Sequence, residues 1–219
     1  MDKEKNNKIV KDRAFANVYI LCINADDYVS ITSFTHEPFY SQFAIEVPDN
    51  WRWGLSYNVP LDEMMEIFDY AIENGYTIAW GSDVSEKGFT RNGIAVAPDV
   101  EATQKAGSDE ERWIGKSKDE KDAILYNLNA PGKELNITQE MRQEGYDNKT
   151  TTDDHGMHIF GIAKDQNGTK YYMVKNSWGP TGKYKGIWYV SEPFARYKTM
   201  NIVVNKNAIP AAIKAKMGL

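Results

Sequence analysis

Apolar side chains recur at helical spacing in one stretch of the chain. Asn58 can cap this stretch, Pro60 suits a first turn, and Gly75 suits an end. The pattern therefore predicts a helix between Pro60 and Gly75, followed at once by a buried strand at 76–80. The apolar positions of the helix are Met64, Ile67, Phe68, Ala71 and Ile72.

The last third of the chain has the alternation and the turn residues of an antiparallel sheet. The sequence DQNG at 165–168 predicts a tight hairpin turn between two strands. A short helix at 138–144, which Gly145 closes, precedes this sheet. Together the segments predict one α+β domain with a twisted, barrel-like sheet. The predicted strands are 155–163, 169–176, 186–191 and 200–204.

The remaining segments differ in composition from this core. Pro38 and Pro48 break an aromatic-rich stretch into extended pieces, so an arm is predicted there, with Trp51 and Trp53 packed in the core or the arm. A charged stretch poor in large apolar groups predicts a surface insertion. The expected organisation is a poorly ordered or unrelated start at 1–23, the arm at 24–57, a β lobe at 58–207 with its insertion at 98–132, and a tail at 208–219.

Composition narrows the classes of function. The 219 residues include 26 Lys and Arg against 31 Asp and Glu, which gives a formal net charge of −5. An acidic chain lacks the basic face of a general nucleic-acid binder, so no nucleic-acid partner is expected. A single cysteine excludes an intramolecular disulfide and a cysteine-based zinc site, and neither a metal nor another cofactor is expected.

The N-terminal segment bears on localisation. Its apolar run at 14–23 is far shorter than the ~20 residues that span a bilayer, so no membrane partner is expected. The charged start resembles a signal peptide, but Asn17 interrupts the apolar run and Asn24 follows where a small-residue cleavage site would stand. A cytoplasmic location is therefore predicted, with export as the alternative.

The predicted hairpin places two polar side chains at its open end. His155 lies about eleven residues before the turn and Asn176 about ten after it, so antiparallel pairing brings them side by side. The Asn176 carbonyl can accept from the imidazole, which fixes its tautomer and leaves the other nitrogen for a substrate or nucleophile. Trp178 can shield that bond from water. His155 and Asn176 are two of the three residues of a Cys-His-Asn catalytic triad for acyl transfer.

Short sequence motifs around these residues resemble those of a known family. The sequences DHGM at 154–157, KNSWG at 175–179 and KGIW at 185–188 are similar to the His and Asn motifs of papain-like cysteine peptidases. Other segments of the sequence resemble the bleomycin hydrolase and aminopeptidase C branch of this family. The resemblance covers about residues 24–210. The further similar segments are 32–40, 58–62 and 75–84.

The resemblance implies a two-lobed cysteine peptidase of which this chain holds the sheet lobe. It implies that His155 is the general base and acid and that Asn176 orients it. It also implies that Trp178 shields the pair and that Asp154 has an auxiliary role. The helical lobe, which carries the nucleophilic cysteine in the family, is expected as a missing partner. Cys22 is rejected as the nucleophile because no Trp, upstream Gln or basic group accompanies it.

The other histidines are expected to be structural. Strand residues three apart face opposite sides of a sheet, so His155 and His158 do not readily share a metal. The DDHGMH run at 153–158 therefore gives little support to a metal-dependent hydrolase. His36 is expected to pack or to hydrogen-bond within the aromatic arm.

Two functions from different classes stay open. The first is the C-terminal lobe of a cysteine-type aminopeptidase that hydrolyses peptide amides, as a truncated gene product or a fragment. The resemblance implies a homo-oligomer for it, with the tail lying in the cleft. The second is a catalytically inactive binding or scaffold module, which uses the apolar face that the helical lobe normally covers.

Overall fold

A computed structural model describes residues 24–99, 115–126, 128 and 132–219. Within them, five α-helices accompany a nine-stranded sheet, so the α+β prediction is confirmed. The segment 1–23, which contains Cys22, lies outside the described residues, as does part of the predicted insertion. None of the helices in the described ranges combines the length and the apolar content that a transmembrane span requires.

The strands of the sheet are β1 (Tyr28–Thr32), β2 (Gln42–Ala44), β3 (Leu55–Asn58), β4 (Ile78–Ser82), β5 (Ile94–Ala95), β6 (His155–Lys164), β7 (Lys170–Lys175), β8 (Ile187–Ser191) and β9 (Thr199–Asn205). Their order is β2-β3-β1-β9-β4-β6-β7-β8-β5, so the sheet is open, with β2 and β5 at its edges, and the predicted barrel-like closure is not found among the described strands. Neighbouring strands are antiparallel except in the β1–β3 and β5–β8 pairs. The helices are α1 (Leu61–Glu73), α2 (Lys118–Tyr126), α3 (Gln139–Asp147), α4 (Glu192–Lys198) and α5 (Ala211–Lys216).

The stretch predicted as an extended arm contributes three strands of this sheet. Its strand β1 pairs with β9 on one side and with β3 on the other, which buries Ile31 completely. The loop between β2 and β3 carries Trp51 and Trp53, which are 76% and 66% exposed. The expectation that these two side chains pack in the core or the arm is therefore wrong.

Helix α1 forms where the apolar spacing predicts it. It begins after Pro60, and Gly75, in the left-handed region with φ +79°, follows its end. Asn58 does not cap the helix, because its side chain bonds the backbone of Phe34 instead: Oδ1 accepts from the Phe34 N–H at 2.9 Å and Nδ2 donates to the Phe34 carbonyl at 2.8 Å. The predicted cap thus ties the start of α1 to the segment after β1.

The main core lies between α1 and one face of the sheet. Strand β4 begins at Ile78, two residues later than predicted, because the Tyr76 N–H still bonds the Ala71 carbonyl at the end of α1, at 2.8 Å. Each large apolar side chain that is fully buried here contributes about 1.5–3 kcal/mol, so the core holds the central strands firmly in place. Core residues include Met64, Ile67, Phe68, Ala71, Ile78, Trp80, Met157, Ile159, Tyr172, Val174, Ile202 and Val204.

Part of the predicted surface insertion packs onto the sheet. Leu128 is 6% exposed and forms a second cluster with Val96 and Tyr171, against which Leu125 of α2 also packs. Between 100 and 131, residues 100–114, 127 and 129–131 lie outside the described residues.

Helix α3 continues past Gly145, where the sequence pattern predicts its end. The hydroxyl of Thr138 caps its start by accepting from the Met141 N–H at 3.3 Å. Inside the helix, Gly145 allows close packing, because a Cβ there would lie 2.9 Å from the Thr151 Oγ1 and 3.1 Å from the Tyr197 ring. A glycine in this helix therefore reflects a tertiary contact and not a helix end.

The substitution Gly145→Ala should lower the free energy of unfolding by about 1–2 kcal/mol, although alanine is the better helix former. The buried Thr151 hydroxyl accepts from the Lys198 Nζ at 3.0 Å and cannot move aside freely. Urea unfolding measures the loss, with Glu144→Ala at the exposed neighbouring position expected to stay within about 0.5 kcal/mol of the parent chain. Equal stability of Gly145→Ala and the parent would contradict the packing argument.

Candidate active site

The β6–β7 hairpin brings His155 and Asn176 together. His155 is the first residue of β6, and Asn176 directly follows the end of β7. Asn176 Oδ1 lies 2.8 Å from His155 Nε2, and the Asn176 side chain is 2% exposed. The two residues thus meet at the open end of the hairpin, as the predicted pairing requires.

The hydrogen bonds at Asn176 define which imidazole nitrogen carries the proton. The Trp178 N–H also donates to Asn176 Oδ1, at 3.3 Å, so two donors converge on one carbonyl oxygen. His155 Nε2 is therefore the protonated nitrogen of the neutral ring, and Nδ1 holds the lone pair. In the described part of the chain no hydrogen bond reaches Nδ1. This arrangement can accept a proton at Nδ1 from a group outside it.

A glycine closes the loop that carries Trp178. The Asn176 N–H donates to the Gly186 carbonyl at 2.9 Å, and a Cβ on Gly186 would lie 2.2 Å from the Gly179 carbonyl oxygen. Gly186 also has φ +85°, which side chains disfavour. The glycine therefore lets the loop fold back and fixes the backbone beside the pair.

Trp178 covers one side of the imidazole. The two rings are 4.9 Å apart with an interplanar angle of 36°, and the indole meets the Trp188 ring edge to face at 5.6 Å. The indole is nevertheless 52% exposed. It thus shields the pair on one side and leaves the other side open.

Asp154 fixes the start of β6 and does not bond His155. Its Oδ1 accepts from the Val84 N–H at 2.9 Å, and its Oδ2 accepts from the Ser85 hydroxyl. The buried Asp83 completes the connection, because it accepts from the N–H groups of Ser85 and Thr152, each at 2.9 Å. Asp154 therefore ties the segment after β4 to the segment before His155, and its predicted auxiliary role stays a prediction.

Asp153 sits beside this tie with a raised pKa. Burial, together with the negative charges of Asp49 and Asp154, raises the pKa of its carboxyl to about 6. Its Oδ1 lies 3.4 Å from where a Cβ on Gly81 would stand. The carboxylate therefore adds negative charge to the same end of the sheet as His155.

The substitution Asp153→Asn should raise the free energy of unfolding at pH 7 by about 1 kcal/mol, a value reduced for screening because the side chain is only partly buried. The folded pKa of about 6 exceeds the ordinary value of 3.8, so ionisation destabilises the fold above pH 6. The cost of ionising Asp153 in the folded chain falls as the pH drops from 6 towards 3.8, the ordinary pKa of the group. In that range the carboxyl is protonated in the folded chain and ionised in the unfolded chain. Urea unfolding at several pH values checks this, and a difference that grows on acidification would contradict it.

The other two predicted histidines have different surroundings. His158 is exposed on the opposite face of β6, where it lines a groove together with Gly156 and Asn176. His36 stacks on the Tyr146 ring at 5.1 Å, and its Nδ1 lies 3.1 Å from Gln143 Nε2, so its environment is one of packing and hydrogen bonding. Among the described residues, no group of three or more His, Cys, Asp or Glu is arranged to hold a metal ion.

A shallow groove beside the pair is absent from the sequence prediction. Gly81 of β4 and Gly156 of β6 are paired directly, and together with Asn201 and the segment of Asn176 they line a groove of about 480 Å³. Asn176 also keeps a buried Nδ2 without a hydrogen-bond partner in the described residues. Gly156 inside one predicted strand, with Gly81 directly after another, was the available signal, since glycines in strands mark close backbone or ligand approach.

A larger cavity of about 780 Å³ lies elsewhere and does not include His155. Its cations are already paired: Lys170 contacts Asp69 at 2.6 Å, and Arg196 contacts Asp62 at 2.7 Å and Glu192 at 3.0 Å. Size alone therefore does not locate the chemistry of this chain, and the hydrogen-bonded pair marks the candidate site.

Comparisons with known proteins identify related peptidases. A family model described as "Peptidase C1-like family" matches residues 98–218. Aminopeptidase C of Streptococcus thermophilus is 24% identical over 216 residues, covering 96% of this chain and 42% of that protein. Aminopeptidase C of Lactobacillus helveticus is 23% identical, covering 97% of this chain and 43% of that protein. The chain thus spans about two-fifths of the length of these relatives.

A solved structure supports the fold. The crystal structure of PepW from Lactobacillus rhamnosis superimposes with a TM-score of 0.62 at 20% identity, covering 92% of this chain and 40% of that one. At this level of identity the likeness supports the papain-like fold alone.

Proposed function

This chain belongs to the peptidase C1-like family, and we propose that it contributes the histidine–asparagine half of a cysteine-type aminopeptidase. The observation that carries the proposal is the 2.8 Å contact between His155 Nε2 and Asn176 Oδ1, which leaves Nδ1 as a base. The names of the curated relatives give the substrate class: peptides from which an N-terminal residue is released.

The chemistry requires a thiol that reaches His155 Nδ1. Nδ1 takes the thiol proton, and the thiolate attacks the peptide carbonyl carbon. The tetrahedral intermediate collapses when the imidazolium returns that proton to the departing amine, which leaves a thioester. Water then attacks the thioester while Nδ1 accepts its proton, and the acid and the thiol are released. Throughout, Asn176 Oδ1 holds the ring through Nε2 and stabilises the imidazolium.

We propose that the thiol comes from a polypeptide segment outside this sequence. Cys22 is the single cysteine of the chain, and its neighbours lack the basic group that activates a thiol. The relatives are more than twice as long as the matched region, so they have room for a further lobe. In this proposal the groove lined by Gly81, Gly156, His158 and Asn201 receives part of the peptide next to Asn176.

Complementation tests the proposed function. The chain is purified and mixed with a separately expressed helical segment from the same genome that carries the cysteine. Release of a fluorescent amine from aminoacyl amides is then measured for each part and for the mixture. Activity of the mixture, with neither part active alone, is expected. An inactive mixture in which the two parts form a stable complex would contradict the proposal.

A non-catalytic binding module is the second candidate. Phe160 and Val203 are 37% and 36% exposed, on strands β6 and β9 near the groove, and exposed apolar groups there suit a protein contact. Light scattering and the effect of His155→Ala on complex formation separate the two candidates. A binding module keeps its partner and its function without the imidazole, whereas a peptidase keeps the partner and loses the function.

A further inference from the structure

A second cavity, of about 340 Å³, lies at the turn end of the β6–β7 hairpin. Its volume is in the range of small-molecule sites, about 300–1,000 Å³. Strand β6 has ten residues between His155 and Lys164, which at ~3.3 Å per residue separates this cavity from the imidazole by roughly 30 Å. It is therefore distinct from the candidate active site. The residues that matter in its lining are Lys164, Asp165, Tyr171, Tyr184 and Tyr189.

Two polar atoms of this lining are buried without a partner among the described residues: the hydroxyl of Tyr171 and the Oδ2 of Asp165. Tyr171 is only 6% exposed. Asp165 uses its other oxygen for the turn, because Oδ1 accepts from the N–H groups of Asn167 and Thr169 at 2.8 and 2.9 Å. Leaving a buried polar group unpaired costs free energy, about 1–3 kcal/mol for each, so the cavity favours an occupant that pairs both.

The two unpaired groups call for opposite partners. The carboxylate oxygen of Asp165 is an acceptor and suits a charged N–H donor. Burial, followed by the charges of Glu134 and Asp165, raises the pKa of Tyr171 to about 12, so its hydroxyl keeps its proton and can donate. The exposed Lys164 adds a positive charge to the lining. The lining therefore offers an acceptor for a cation together with a donor and a cation for an anion.

The walls of the cavity are aromatic and fixed by a glycine. The rings of Tyr184 and Tyr189 meet edge to face, with centroids 5.0 Å apart and an interplanar angle of 80°. A Cβ on Gly93 would lie 2.7 Å from Tyr184 Cδ2, so any side chain at this position would displace the ring. Tyrosine faces attract ammonium groups and accept apolar side chains. The Lys183 Nζ already lies 5.0 Å from the Tyr184 ring centroid, which illustrates that preference.

We propose that this cavity binds a zwitterionic α-amino acid, with its ammonium group on Asp165, its carboxylate on Tyr171 and its side chain against the tyrosine rings. One ligand then satisfies both buried groups, which neither a simple amine nor a simple carboxylate does. The proposal does not depend on the proposed function, because binding is measured on this chain alone.

Titration calorimetry with three ligands of similar shape tests the proposal on the parent chain. L-leucine carries both charged groups, isoamylamine lacks the carboxylate, and isocaproate lacks the ammonium. Saturable binding of L-leucine at one site is expected, with both analogues weaker by about tenfold or more. Absence of saturable L-leucine binding, or equal binding of all three ligands, would overturn the proposal. This titration uses only the parent chain, so its result does not depend on whether the variants fold.

Variants then locate the binding site. Asp165→Asn keeps an oxygen for the turn but removes the charge, and Tyr171→Phe removes only the hydroxyl. Each should weaken L-leucine binding by about tenfold or more, while His158→Ala, on a distant exposed position, binds as the parent does. Circular dichroism checks that each variant is folded. Parent-like affinity in a folded Asp165→Asn variant would show that the amino acid binds elsewhere and would overturn the assignment.

Discussion

Replacing His155 with alanine should reduce kcat/KM of the complemented peptidase by about a thousandfold or more. The imidazole is the group that takes the thiol proton and returns it to the leaving amine, and no other histidine lies at the pair. The assay is the release of a fluorescent amine from an aminoacyl amide, with equal amounts of the assembled complex in each reaction.

A control lies in another part of the chain. His36→Ala removes an imidazole that stacks on the Tyr146 ring, does not line the groove, and should leave kcat/KM close to that of the parent. Asn176→Ala should give an intermediate loss, because the imidazole remains but its orientation does not. Equal activities of His155→Ala and His36→Ala would contradict the role given to His155.

Replacing Trp80 with alanine should lower the free energy of unfolding by about 3–5 kcal/mol. Trp80 is 1% exposed and lies on the central strand β4, where it faces α1 across the main core. The change also removes the hydrogen bond from its Nε1 to the Thr199 Oγ1, at 2.7 Å, and leaves that buried hydroxyl with one partner fewer. Urea unfolding followed by circular dichroism gives the difference.

Trp51→Ala is the control for this substitution, because Trp51 is 76% exposed and the same number of atoms is removed from the surface. Its free energy of unfolding should stay within about 0.5 kcal/mol of the parent. A similar loss for both tryptophans would mean that β4 does not occupy the centre of the core.

Local signals account for the elements that the sequence predicts well. The apolar spacing of α1 and the DQNG turn of the β6–β7 hairpin are each encoded in fewer than about 20 consecutive residues, and both are found close to their predicted positions. The hairpin brings His155 and Asn176 to the same end of two paired strands, and their contact also depends on how the chain leaves the ladder after Lys175. The central pair of the site, His155 and Asn176, is therefore predictable from the sequence.

Long-range pairing accounts for what sequence reasoning missed. Strand β1 joins the sheet because Tyr28 pairs with Asn205, and no local pattern announces a partner so distant in the chain. The opposed Gly81 and Gly156 form a groove only once β4 and β6 are known to be neighbours. The reason for a glycine at 145 is likewise its packing against Thr151, which the sequence does not show. From the sequence alone, Gly145 therefore resembles the end of a helix.

The register of the β6–β7 hairpin also differs from what counting along the sequence predicts. A bulge between Ile159 and Gly161 shifts the pairing, so that Lys175 stands opposite His158. Simple counting from the turn does not include this extra residue. The chain still brings Asn176 to His155 because it leaves the ladder after Lys175 and closes on Gly186.

The protonation of one imidazole tests the central claim most directly. Proton–nitrogen correlation spectra of the isotope-labelled chain at neutral pH should place the His155 proton on Nε2, as a slowly exchanging N–H, and should show Nδ1 as the unprotonated nitrogen. In Asn176→Ala this signal should exchange faster and the tautomers should mix, while the signals of His36, which contacts Tyr146 and Gln143, stay unchanged. A proton found on Nδ1 in the parent chain, or an Nε2–H signal that Asn176→Ala does not alter, would contradict the account.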